Sequence, residues 1–187
     1  MENKTRTVKV WEVEFLSPPP AVRHCKKCGK KTEFLSSGQF RVNAQRKDLD
    51  IWLIYKCSKC RNTWNLPVFS RINPKSLEPE LLNKFHNNDS TLALRYAMDY
   101  GLLQRSGASV GPYSYRITGD SLPSGPAELH IKSSSASLVK VSAILREKLG
   151  ISRKELEDQI CSGRIQSKTG EDLLRCRLTE DTVLNIL

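Results

Sequence analysis

No apolar run in this 187-residue chain approaches the roughly 20 residues that a membrane-spanning helix needs. The opening Met1-Glu2-Asn3-Lys4 is followed by no apolar stretch, so no secretory signal is expected. Equally missing are a phosphate-binding glycine loop, a nucleophile elbow and a paired-carboxylate motif. Of the three histidines, His86 and His130 stand far from any partner motif, and His24 reads as a solvated neighbour of Cys25. Cys161 and Cys176 lack a nearby activating base and read as small buried residues. These absences leave catalysis as the least supported class. There is no internal repeat, and a hydrophobic share of 39% is low for one large core. The expectation is a cytoplasmic protein of small modules without a membrane partner.

What is present is paired cysteine. Cys25-Lys26-Lys27-Cys28 and Cys57-Ser58-Lys59-Cys60 each hold two residues between their thiols. One tight turn then aims both sulfurs at a point, and two such turns make a tetrahedral four-thiolate site of the kind that holds a structural zinc ion. Gly29, just past the first pair, suits the positive φ that such a turn demands. Arg61 stands at the matching position of the second pair, so Asn62 is expected to supply the left-handed residue there. Two disulfides or a redox-active pair are the rival readings, and a reducing compartment disfavours the first. The ligand set is Cys25, Cys28, Cys57 and Cys60, with one zinc per chain.

Charge is concentrated on the same stretch. Residues 1–72 carry 15 Lys+Arg against 6 Asp+Glu, whereas 73–135 carry 6 against 6 and 136–187 carry 9 against 8. Two net negative charges from a zinc–thiolate centre leave that segment basic, which points to a polyanion partner. The bland alternative is that the charge merely keeps the protein in solution.

Residues 7–16 read as a strand ended by Pro18-Pro19-Pro20. Residues 39–45 alternate, with Phe40, Val42 and Ala44 on one face and Arg41 and Asn43 on the other. Arg46, Lys47 and Asp48 make a turn into a strand over 49–56 whose two faces are both apolar, as in a central strand covered on both sides. Trp64 to Phe69 suggests a return strand, and strands meeting at two cysteine turns describe a zinc ribbon. Residues 76–104 read as two helices, the second capped near Asp89 and ending about Gly101. Residues 105–126 read as loops around a strand at 113–118, another strand follows at 128–132, and Ser133-Ser134-Ser135 is a linker candidate.

At the C-terminal end, Leu138, Val141, Leu145 and Leu149 share a helical face, and Gly150 suits the left-handed cap. Ser152-Arg153-Lys154-Glu155 is a capping box with Ile151 and Leu156 as its hydrophobic staple, and Gly163 ends that helix before a strand at Arg164-Ile165. Leu149-Gly150-Ile151-Ser152-Arg153 and Gly163-Arg164-Ile165 resemble the small RNA-binding domain first named from ribosomal protein S-four. Where that family continues with a valine-asparagine-glycine turn, this chain has Gln166 to Glu171. The resemblance implies an RNA-facing surface carrying Arg153, Lys154 and Arg164, with Lys140 and Arg146 as weaker candidates. A DNA-binding helix-turn-helix and a plain packing hairpin stay open as readings of the same residues. Over most of its length the chain is also similar to an uncharacterised bacterial family of zinc-ribbon proteins. Cys25 to Gly29, Phe40 to Gln45, Trp52 to Tyr55 and Cys57 to Trp64 carry that likeness, and it brings no activity with it.

Together these readings give an α+β chain. They predict an N-terminal β-rich zinc ribbon over 1–72, a helical and loop middle region over 73–135, and a small α+β C-terminal domain over 136–187. The expected function is non-catalytic nucleic-acid binding, RNA before DNA. Lys26, Lys27, Arg41, Arg46, Lys47 and Lys59 would face phosphate on the ribbon, with Arg153, Lys154 and Arg164 beyond it. An adaptor that binds another protein is the rival class.

Overall fold

A computed structural model describes residues 7–45, 47–122, 125–134 and 138–187. The described residues form ten strands in two five-stranded sheets and five short α-helices, so the chain is mainly β. It divides into two compact units, residues 17–114 and residues 1–16 with 115–187.

In the first unit, β2 (Ala21–Cys25), β3 (Lys30–Gln45), β4 (Asp48–Cys57), β5 (Thr63–Ile72) and β6 (Ser109–Val110) lie in the order β5-β4-β3-β2-β6. All four pairings are antiparallel. Strand β4 buries Leu49, Ile51, Leu53, Tyr55 and Cys57 and leaves Trp52 and Ile54 half-buried on the opposite face. The strict alternation therefore marks one covered face, and the expectation of a strand covered on both sides does not hold. Cover comes from α1 (Pro79–His86), α2 (Ser90–Met98) and α3 (Tyr100–Arg105), whose Phe85, Leu92, Ala93, Ala97 and Leu103 join the sheet's buried side chains in one core. The rings of Phe40 and Phe85 meet edge to face at 4.8 Å, the geometry their quadrupoles favour. Asp89 caps α2 as expected, accepting the Leu92 amide at 2.7 Å. The second helical run breaks at Asp99, which caps α3 through Leu102, so Gly101 lies inside a helix rather than ending one.

Strand β3 is long and bent. Its pairing with β4 jumps between Ser36 and Phe40, Gly38 takes φ 71°, and Asn88 accepts the freed Phe40 amide at 2.6 Å. Phe34 and Phe40 both stay buried across this irregularity.

In the second unit, the sheet order is β7-β1-β8-β10-β9. It consists of β1 (Thr7–Ser17), β7 (Ser114–Thr118), β8 (Ala127–Ser133), β9 (Ile165–Ser167) and β10 (Asp181–Ile186). Strand β1 runs parallel to β8, and β10 is antiparallel to both β8 and β9. Trp11 and Val13 on β1 are buried with Leu129, Ile131 and Leu184, and with Ile144 and Leu145 of α4 (Val141–Leu149). The Trp11 indole N–H donates to the Asp120 carbonyl at 2.8 Å, so its one polar atom is satisfied. Gly150 takes φ 66° at the end of α4. Ser152 and Glu155 close the capping box that starts α5 (Arg153–Cys161), with bonds of 3.2 and 2.7 Å. Gly163 follows at φ 75° before β9.

The expected layout of zinc ribbon, helical middle segment and small α+β C-terminal domain is therefore overturned. The first strand leaves the cysteine-bearing sheet and pairs with β8, and the middle helices cover the cysteine-bearing sheet instead of standing between modules. The C-terminal helices pack in a sheet unit that includes the N-terminal strand. The physical cause is non-local pairing: a parallel partner 120 residues away leaves no mark in local periodicity. Ser135, the last residue of the expected linker, lies outside the described residues, and Ser133 belongs to β8.

Candidate metal centre and basic surface

Each cysteine pair sits where a strand ends and its hairpin turns. Cys25 ends β2 and Cys57 ends β4, and both are buried, while Cys28 and Cys60 are half-buried on the turns. The turns close alike. The Gly29 amide donates to the Cys25 carbonyl at 2.9 Å, and the Arg61 amide to the Cys57 carbonyl at 3.0 Å. Gly29 takes φ 68° and Arg61 φ 61°, so Arg61 itself, not Asn62, supplies the left-handed residue. Pairing of Phe34 with Cys57 brings the hairpins side by side, and the Ser58 amide donates to the Glu33 carbonyl at 2.9 Å.

The sulfurs then meet across the turns. Cys25 and Cys60 lie 3.6 Å apart, Cys28 and Cys57 3.9 Å, and all four Sγ atoms fall within 4.8 Å of one another. A disulfide needs about 2.05 Å, and all six cysteines are free. Metal–sulfur bonds of about 2.3 Å in a tetrahedron set sulfurs about 3.8 Å apart. The four cysteines are close enough to hold one metal ion. Crowding pulls their acidities apart. The Thr32 hydroxyl, 3.3 Å from Cys57 Sγ, is foremost in drawing that thiol down to about 6. Cys28 is pushed up to about 12, first by the Cys60 thiol and then by burial. Four thiols this close share protons until a cation replaces them. His24 is exposed and outside this cluster, while Cys161, expected to be buried, is exposed, and Cys176 is half-buried.

The basic candidates scatter. Lys26, Lys27 and Lys59 are exposed on the two cysteine turns. Arg41 is exposed on β3, its guanidinium 5.9 Å from the Trp52 ring centroid. Lys47 is exposed in the β3–β4 turn, at the far end of β4 and roughly 30 Å of strand from Cys57. Arg46 lies outside the described residues. In the other unit Arg153, Lys154 and Arg164 are all exposed, and Arg153 pairs with Glu157 at 2.7 Å. A hollow of about 220 Å³ there gathers Arg153 with Lys140 and Arg146, but its lining includes neither Lys154 nor Arg164.

Three basic residues, Arg23, Lys56 and Arg61, were not among the expected contacts. Arg23 stacks over Trp64 at 4.2 Å, and its Nε and Nη1 atoms are buried without a hydrogen bond. Lys56 and Arg61 line a hollow of about 290 Å³ with Leu35, Ser36, Ser37 and Gln39. Alternation along β4 places Lys56 on the face of Trp52, a signal the sequence does carry.

Counted by unit, residues 17–114 hold 16 Lys+Arg against 7 Asp+Glu, and the remainder holds 14 against 13. No described helix is long and apolar enough to cross a membrane. Residues 42–171 match a family described as a protein of unknown function (DUF1062), a stretch that takes in Cys57 and Cys60 but not Cys25 and Cys28, and that leaves out β1, β2 and β10. No curated protein and no solved structure matches the chain.

Proposed function

The chain belongs to that family of unknown function, and we propose from its own residues that it is a zinc-stabilised, non-catalytic RNA-binding protein of a reducing compartment. The carrying observation is the coincidence of a four-thiolate cluster with the unit that holds nearly all the excess positive charge. Zinc is the metal that a closed tetrahedron of soft thiolates favours. Four protein ligands leave no open position for substrate, so the ion stabilises rather than reacts. Lys26, Lys27 and Lys59 ride on the turns that the ion holds, with Arg41 and Lys47 along β3 and its turn. The resemblance of the α4–α5–β9 segment to the S-four-type domain supports RNA over DNA, with Arg153, Lys154 and Arg164 as its contacts.

The test compares zinc-loaded with chelator-stripped protein for binding to a labelled RNA, with DNA of the same sequence alongside. The expected result is RNA binding by the loaded form that falls away on stripping. Binding by neither form overturns the reading. A protein partner that stays bound in stoichiometric amount after nuclease treatment, with no RNA affinity, establishes the adaptor reading in its place.

A further inference from the structure

The sheet face turned away from α1–α3 carries an arrangement that the metal centre does not use. Trp52 sits half-buried at its middle, with Arg41 directly opposite on β3 and Pro67 opposite on β5. Four residues along, about 13 Å by strand rise, Lys56 lies between Leu35 and Thr63. Leu35 is 45% exposed, and Lys56 and Arg61 rim the adjoining hollow. Ile54, also half-buried, fills the stripe between Trp52 and Lys56. Three acidic residues share the face, with Asp48 exposed at its far end, where β4 begins. Asp50 already accepts the Arg71 amide at 3.0 Å, and Glu33 stands beside Val22, away from Trp52.

An open apolar stripe rimmed by polar groups marks a docking surface. Its chemistry selects the occupant. The core of a protein–protein interface is depleted of lysine, whereas here Lys56 stands within the stripe. The Arg41 guanidinium lies over the Trp52 ring at 5.9 Å, and once it swings aside to a phosphate the ring offers a base a stacking surface, with further cations along the strand as counter-charge. A duplex keeps its base faces inside the stack and cannot use such a ring. We propose that this face, centred on Trp52 and flanked by Arg41 and Lys56, binds single-stranded RNA with a base stacked on Trp52. The proposal rests on the nucleic-acid reading above and adds the strand state and the residue that senses it.

The experiment uses the zinc-loaded full chain with a short labelled RNA, single-stranded and as the matching duplex. Tryptophan quenching and anisotropy are read for the wild type, Trp52→Leu, Arg41→Gln and Lys26→Glu. The expected result is a preference for the single strand and a loss of about tenfold in Trp52→Leu. Quenching should vanish in that variant while its salt dependence stays as in the wild type. Arg41→Gln, which leaves the core untouched, should weaken the single strand more than the duplex. If Trp52→Leu and Arg41→Gln bind as the wild type while Lys26→Glu weakens, the sheet face is not the site and RNA binding stands on the turns alone. If no variant and no wild type binds RNA, the nucleic-acid reading falls and this inference with it. A protein partner displaced by Trp52→Leu, with no RNA effect, overturns it as well.

Discussion

Arg61 is where local strain meets the candidate metal centre. Its φ of 61° is one that a side chain bearing a Cβ adopts at a cost, while Gly29 at φ 68° adopts its own freely. Arg61→Gly should therefore stabilise the zinc-loaded protein by about 1 kcal/mol, and Gly29→Ala should destabilise it by about the same, both read by thermal melting. The asymmetry has a use if Arg61 reaches phosphate: Arg61→Gly should then gain stability and lose RNA affinity. Thr32 offers a second test. Thr32 is buried, and its hydroxyl touches Cys57 Sγ at 3.3 Å, so it donates to the sulfur as that sulfur ionises. Thr32→Val keeps the volume and removes the donor. Zinc affinity by chelator competition should fall 10- to 100-fold; an unchanged affinity removes Thr32 from the account. Because protons compete with the metal for the thiolates, zinc release should become easier as pH falls.

At the scale of elements, α5 and β1 mark the limits of what local pattern reveals. The capping box of α5 was legible because its donors and acceptors lie three residues apart, within reach of a sequence motif. Ser152→Ala should cost about 1 kcal/mol in a denaturant melt. The first strand was also legible as a strand, but its partner was not, since Thr7 pairs with Ala127 and only tertiary packing of Trp11 decides it. The cysteine turns were legible as a site because their two-residue spacing fixes where the sulfurs point. The basic surface was not, because only the strand pairing shows that Lys47 sits at the opposite end of the β3–β4 pair from the cysteine turns that carry Lys26, Lys27 and Lys59. A further polar staple joins β8 to β10. His130 lies 3.0 Å from Glu128 and 3.2 Å from Asp181, and the Lys168 ammonium donates to Glu128 at 2.9 Å. Lys168 first, and His130 after it, hold the Glu128 carboxyl below its ordinary value of 4.5. A depressed carboxylate adds stability above its unfolded pKa and loses it as pH falls through the folded one. Melting temperature should thus drop on acidification below about pH 4.5, and Lys168→Gln should flatten that drop. An identical acid limb in the variant would show that the staple is spent on geometry alone.

Over the whole molecule, the division of charge is the feature that composition alone conceals. A sequence pI of about 9.4 describes the chain, yet residues 17–114 hold 16 Lys+Arg against 7 Asp+Glu and the rest is nearly balanced. The four-cysteine cluster lies in the charged unit, so an ion bound there would also hold the turns that carry Lys26, Lys27 and Lys59 in place. Cys57→Ser should abolish stoichiometric zinc and unfold the turns, because the binding free energy of such an ion is folding free energy. The most direct test of the account is the affinity of the zinc-loaded chain for single-stranded RNA over a salt series. Counterion release predicts a straight fall of log K against log salt, with a slope of about −0.7 for each phosphate contacted. An affinity that stays flat with salt, or no affinity at low salt, contradicts it.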